Sequence, residues 1–194
     1  MMGPDARRLG GEALPLLGIA AWSGTGKTTL LEALLPRLAE RGLKTAVIKH
    51  AHHEFEVDRP GKDSHRLRQA GAAPMLVASR RRVAMMYETP GQEEPDLPEL
   101  IELLRPRRPD LVLVEGFKAW PLPKLELHRP ELGKPLLAPQ DPWVKAVASP
   151  APLALPVGVL ALDLNNHEAL ADWVAAWPGR WPADCFPRDE EVGP

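Results

Sequence analysis

The chain has 194 residues, among them 23 prolines and 15 glycines, with 44% hydrophobic residues, 26% charged residues and a formal charge of −2. These proportions belong to a globular chain large enough for one sizeable core, and they exclude a collagen, a coiled coil and a wholly disordered polypeptide. The weak net charge argues against nucleic acid as a bulk partner, the lone Cys185 excludes an internal disulfide or cysteine cluster, and no apolar run has membrane-helix length.

Residues 1–13 read as a flexible leader. Arg7 and Arg8 ahead of the apolar stretch Leu14–Trp22 imitate a secretory signal, but cleavage there would destroy the glycine-rich motif that follows. A reducing, cytoplasmic compartment is therefore the expectation. Leu14–Ala21 has the length and composition of a strand. Leu31, Leu34, Leu35 and Leu38 then repeat at helical spacing, with Pro36 expected to bend the helix or shorten its last turns and Gly42 to stop it. Leu43–Lys49 is a second strand. A short helix over 64–71 and a hairpin of Met75–Ala78 with Val83–Tyr87 follow. Leu97, Leu100, Ile101 and Leu104 mark a helix over about 95–105. Leu111–Val114 reads as a strand buried on both faces. Lys124–Leu127, Val144–Ala148 and Val157–Leu162 are further strands, and Leu170, Trp173, Val174 and Trp177 mark a last helix. Alternating strands and helices predict an α/β fold, a doubly wound and mostly parallel sheet of the P-loop NTPase type spanning 14–177. Residues 178–194 lack periodicity and read as a disordered tail, which also carries the chain's net charge.

The chemistry concentrates in Ser23-Gly24-Thr25-Gly26-Lys27-Thr28-Thr29, between a predicted strand and a predicted helix. That context is what gives a phosphate loop its meaning. Gly24 and Gly26 permit a nest of inward N–H groups, and the helix N-terminus adds its positive end. Lys27 is placed for the β- and γ-phosphates, and the Thr28 hydroxyl for Mg²⁺. The first glycine of the usual pattern is replaced by Ala21, which is small enough to keep the loop.

Such a loop needs an acid at the end of a neighbouring strand. Glu115, after four aliphatic residues, is the preferred metal-side and catalytic candidate, because ligands bind beyond the carboxyl ends of the strands. Asp110 lies at the wrong end of that strand, and Asp58 is a second candidate for the same role. The segment His50–Asp58 holds three histidines within four residues, and if extended it puts His50, His52, Glu54, Glu56 and Asp58 on one face. Those side chains suit Zn²⁺ or Ni²⁺, a nucleotide-sensing switch, or a polar loop capping the sheet. Lys62, Arg66, Arg68, Arg80, Arg81 and Arg82 read as a solvated basic face or a surface for a phosphorylated or acidic ligand. Trp173 and Trp177 read as core, whereas Trp22 covers the nucleotide or serves an interface. Asp163, Asn165 and Asn166 stand where a base is read in this class of fold.

Four segments now occur in one order: Ala20-Ala21-Trp22-Ser23-Gly24-Thr25-Gly26-Lys27-Thr28-Thr29, Ile48-Lys49-His50-Ala51-His52-His53, Val57-Asp58-Arg59-Pro60-Gly61-Lys62-Asp63-Ser64 and Val114-Glu115-Gly116-Phe117-Lys118. Together they resemble the MobB family, the molybdopterin-guanine dinucleotide biosynthesis adaptor proteins, over about residues 14–177. The resemblance implies a homodimer that binds GTP with Mg²⁺ and hydrolyses it slowly. It also implies assistance to a partner guanylyltransferase of the MobA type, which attaches GMP to molybdopterin. Pro121–Pro142 and the tail depart from the pattern, so nothing is carried over there.

Three functions remain to be separated. The leading one is the GTP-binding adaptor, with Lys27 on phosphate, Thr28 on the metal, and Glu115 or Asp58 behind it. The others are a metal-delivery NTPase using 50–58, and a small-molecule kinase using the basic 62–82 stretch.

Overall fold

The computed structural model describes residues 14–51 and 57–181. The chain divides into two compact units, one formed by residues up to His50 and from Asp96 onward, the other by Ala51–Pro95.

The first unit is built on a six-stranded sheet. Its strands are β1 (Leu16–Ala20), β2 (Thr45–Lys49), β5 (Leu111–Glu115), β6 (Lys124–Leu127), β7 (Val144–Ser149) and β8 (Leu160–Asp163). They lie in the order β2-β5-β1-β6-β7-β8, and every neighbouring pair is parallel. β1 sits between β5 and β6, which is why its five residues are all buried and its sequence is a continuous apolar run.

Period two splits that run between two cores. Leu17 and Ile19 join Leu111 and Leu113 beneath α1 (Lys27–Glu40) and α4 (His167–Ala175). Leu16 joins Val112 and Val114 on the opposite face, where α3 (Leu97–Leu104) supplies Leu97 and Ile101. Helices on both faces give the doubly wound arrangement expected from the sequence. Two predicted details change. α1 continues past Pro36 to Glu40, so the proline does not shorten it; Leu34 and Leu38 are fully buried, and packing outweighs the missing amide. α4 starts earlier than its apolar stripe, because the Asn166 side chain accepts from the Ala169 amide and caps it. Trp177 lies in the turn after α4, buried, with its indole donating to the Leu16 carbonyl at 2.8 Å.

The second unit contains α2 (Asp63–Gln69) and the antiparallel pair β3 (Met75–Ala78) and β4 (Val83–Met86). Its turn is where the sequence put it: the Ser79 amide donates to the Arg82 carbonyl, and the Ser79 hydroxyl oxygen accepts from the Arg82 amide. None of its described residues is buried, and Leu76, Val83 and Met85 share one exposed face of the hairpin. Among the described residues no helix is long and apolar enough to cross a membrane.

Candidate functional site

The strand order reverses at β1, so the crevice beyond its carboxyl end is where an open parallel sheet binds a ligand. The chain leaves β1 through Ala21, fully buried, into a loop with Gly24 at φ +79° and Gly26 at φ +101°. Both glycines therefore occupy the left-handed region that the nest requires. Thr25 is an internal pin rather than an exposed ligand: its hydroxyl and its amide both donate to the Trp22 carbonyl, at 2.8 and 3.3 Å. Ser23, Thr28 and Thr29 are exposed, with Thr28 and Thr29 in the first turn of α1. That helix has no side-chain cap and no acid in its first turn. Its N-terminal amides and positive dipole end are thus left for an external anion. The Lys27 ammonium folds back onto the loop, donating to the Ala21 and Trp22 carbonyls at 3.4 and 3.3 Å.

Glu115 ends β5, in register with Ile19 of β1 and Lys49 of β2. It is largely buried, and its Oε2 lies 3.3 Å from the Lys49 ammonium. The following turn is tight. Gly116 has φ +94°, and a Cβ there would lie 2.7 Å from the His50 Cβ. His50 also donates its amide to the Glu115 carbonyl, and its ring centroid is 5.2 Å from that of Phe117. Asp110, at the other end of β5, caps the entry to β2 by accepting from the Lys44 amide at 2.7 Å. The structure therefore brings Lys27, Thr28 and Glu115 to the carboxyl ends of adjacent strands. An exposed hydroxyl on Thr28 and a largely buried carboxylate on Glu115 suit Mg²⁺, which takes few protein ligands and keeps waters.

Asp58 belongs to the other unit. Its carboxylate accepts from the Ser64 hydroxyl at 2.9 Å and from Arg68 Nε at 3.0 Å. Burial pushes this carboxyl up, but the two hydrogen bonds together with the charges of Arg68 and His65 hold it below its ordinary value. Of the histidine-rich segment, His52, His53, Glu54 and Glu56 lie outside the described residues. Among the described residues no group of three or more potential ligands could hold a metal ion.

A small, half-open cleft lies beside the loop, lined by Gly26, Thr29, Arg129, Asn165 and His167 among others. The three residues suggested for reading a base separate here. Asp163 accepts from the Asn165 amide to shape the turn, Asn166 caps α4, and Asn165 lines the cleft.

Sequence reasoning passed over several residues of the site. Arg129 donates from Nε to the Thr25 carbonyl at 3.0 Å, so the chain after β6 braces the loop. Lys124, Glu126 and His128 are all buried, though their alternation with leucines would suit a half-exposed strand. Glu126, kept above its ordinary pKa by burial despite two backbone hydrogen bonds, accepts from the Leu137 and Ala138 amides. The adjoining Pro135 carbonyl takes the Trp22 indole N–H at 2.7 Å. Trp22 is thus fixed at the loop, and the Lys118 ammonium stands 4.8 Å from its ring centroid.

Comparison with known proteins follows the same lines. The family described as "Molybdopterin guanine dinucleotide synthesis protein B" matches residues 16–150. The molybdopterin-guanine dinucleotide biosynthesis adapter protein of Escherichia coli (strain K12) is 51% identical over 165 residues, covering 84% of this chain and 93% of that protein. Its namesake from Haemophilus influenzae is 46% identical over 165 residues, covering 84% and 89%. The crystal structure of a molybdopterin-guanine biosynthesis protein B superposes with a TM-score of 0.67 at 25% identity, covering 84% of this chain and 99% of that one. That of Bacillus subtilis MobB gives 0.66 at 26% identity, covering 84% and 98%.

Proposed function

The chain belongs to the MobB family of molybdopterin-guanine dinucleotide biosynthesis adapters, and on that premise we propose that it works as a GTP- and Mg²⁺-binding adapter with slow GTPase activity. Its partner is a MobA-type guanylyltransferase that joins GMP to molybdopterin. The observation that carries the reading is the uncapped, acid-free N-terminus of α1 beneath a loop with two left-handed glycines and Lys27.

In this reading the loop and helix amides hold the β- and γ-phosphates, and Lys27 swings from the loop carbonyls onto them. Thr28 and Glu115 would hold Mg²⁺, which would supply positive charge to offset that of the phosphates. Asp58 remains with Ser64 and Arg68 in its own unit and is given no part in the metal site. Asn165, Arg129 and His167 face the nucleoside, with Asn165 offering donor and acceptor to guanine. Slow turnover of this kind fits a role in delivery or organisation rather than chemistry. The exposed apolar face of the β3–β4 hairpin supports a homodimer, and the absence of any cysteine besides Cys185 suits the cytoplasm.

Calorimetric titration with GTP and Mg²⁺ tests the site. Lys27→Ala is expected to weaken GTP at least about tenfold, the scale of one charge-assisted phosphate contact. Unchanged affinity would remove the assignment. Stimulation of guanylyl transfer in a mixture of partner enzyme, molybdopterin and GTP, lost with the same variant, tests the adapter role.

A further inference from the structure

Lys27 is the expected lysine of a phosphate loop, but a second ammonium stands beside it. Lys118 leaves β5 three positions after Glu115, on the turn made rigid by Gly116 and by Phe117 packed on His50. Its Nζ lies 4.8 Å from the Trp22 ring centroid, while the Trp22 carbonyl accepts from Lys27 Nζ at 3.3 Å. One loop residue therefore touches both cations. Trp22 cannot easily drift, because its indole is tied to the Pro135 carbonyl.

Neither lysine has an acidic partner among the described residues; Lys27 meets only carbonyls, and Lys118 only an aromatic face. Partial desolvation of its otherwise exposed side chain and the nearby Lys27 charge press the Lys118 ammonium below its ordinary pKa. Two unneutralised cations at an uncapped helix N-terminus make a strongly positive pocket, which a polyanion would relieve. A cation–π contact is also weaker than a charge-assisted bond to phosphate, so the ring is a resting place that an anion can empty. Lys118 follows the strand-ending Glu115 by three positions, so on the nucleotide-binding reading it stands on the side assigned to the metal and the terminal phosphate.

We propose that Lys118 is a second phosphate-binding cation that leaves the Trp22 ring for the terminal phosphate, so that the site prefers a nucleoside triphosphate over a diphosphate. This rests on the nucleotide-binding reading above and assigns a residue which that reading leaves idle.

The test is titration of the full chain, with Mg²⁺, by a β,γ-imido GTP analogue and by GDP. Lys118→Met keeps the aliphatic stem over the ring and removes the charge. It is expected to weaken the analogue at least about tenfold and GDP less than about twofold, with Lys118→Arg restoring most of the difference. Lys118 is exposed, so matched thermal melts should show both variants folded. Equal weakening of both ligands, or no weakening of either, would overturn the proposal. A wild-type chain that binds both ligands with Lys27-dependent affinity, beside an indifferent Lys118→Met, sinks this proposal alone. A wild-type chain that binds neither ligand sinks the nucleotide-binding reading and this one with it.

Discussion

Arg129 and Thr25 stand 104 positions apart in the chain, yet Arg129 Nε donates to the Thr25 carbonyl at 3.0 Å. The bond ties the segment after β6 to the middle of the phosphate loop, and Thr25 in turn holds Trp22. Replacing Arg129 by leucine should loosen a loop that is otherwise ready-made for phosphate. Nucleotide affinity is expected to fall about tenfold, while the melting temperature moves by no more than about 2 °C. Lysine should not rescue it, because the bond uses the guanidinium Nε. Paired titration and melting curves check both statements.

Lys124 is a buried cation on β6 that donates to the Trp120 carbonyl and to Asp141 Oδ2, both at 2.8 Å. Asp141→Asn would leave that charge without its counter-ion and should cost about 3 kcal/mol in a denaturant melt. Lys124→Met combined with Asp141→Asn should cost less than Asp141→Asn alone, since no unpaired charge is then buried.

The same pair has a pH signature. Burial lowers the pKa of Lys124 below the unfolded value of 10.5, and Asp141 only partly opposes this. A cation whose folded pKa is depressed binds fewer protons in the folded state, so its penalty shrinks as pH rises through the folded pKa towards 10.5. In Asp141→Asn the opposing attraction is gone and the depression is larger. The stability deficit of that variant should therefore be greatest near pH ~7 and narrow towards pH ~10 in urea melts. A deficit independent of pH would contradict this.

Asn165 lines the cleft while its neighbours Asp163 and Asn166 are engaged in the turn and the cap. Asn165→Ala should reduce the preference for GTP over ATP about tenfold, the worth of a lost hydrogen bond to the base. Binding of inorganic tripolyphosphate should stay the same, which separates base reading from phosphate binding.

The hairpin offers a different test. Leu76 and Met85 are cross-strand partners, 57% and 47% exposed, on a face left open among the described residues. Burying two such side chains between protomers is worth about 3 kcal/mol or more. On the proposed homodimer, Leu76→Asp with Met85→Asp should therefore raise the dissociation constant at least about a hundredfold by light scattering. Affinity for GTP should change less than about twofold.

Much of this molecule is readable one short segment at a time. The continuous apolar run of β5 announced a strand with neighbours on both sides, and the leucine spacing of α1 announced its buried face. The phosphate loop is legible for the same reason: left-handed glycines, a lysine and a hydroxyl at the start of a helix are properties of consecutive residues. The buried charges of β6 were not legible. Lys124 and Glu126 look like the solvent side of a strand until Asp141 and the amides of Leu137 and Ala138 are brought to them.

Sequence alone thus determined the α/β order, the glycine-rich loop between β1 and α1, and the acid Glu115 at the end of the adjacent strand. Each depends on backbone conformation and side-chain period, which neighbouring residues dictate. Tertiary structure decided what the loop's neighbours do: that Arg129 braces Thr25, that Lys118 rests on Trp22, and that Asn165 rather than Asn166 lines the cleft. It also gave the Asp58 carboxylate to Ser64 and Arg68 within the hairpin-bearing unit. The Arg129–Thr25 and Lys118–Trp22 contacts join residues far apart along the chain, where local composition carries no record of the partner.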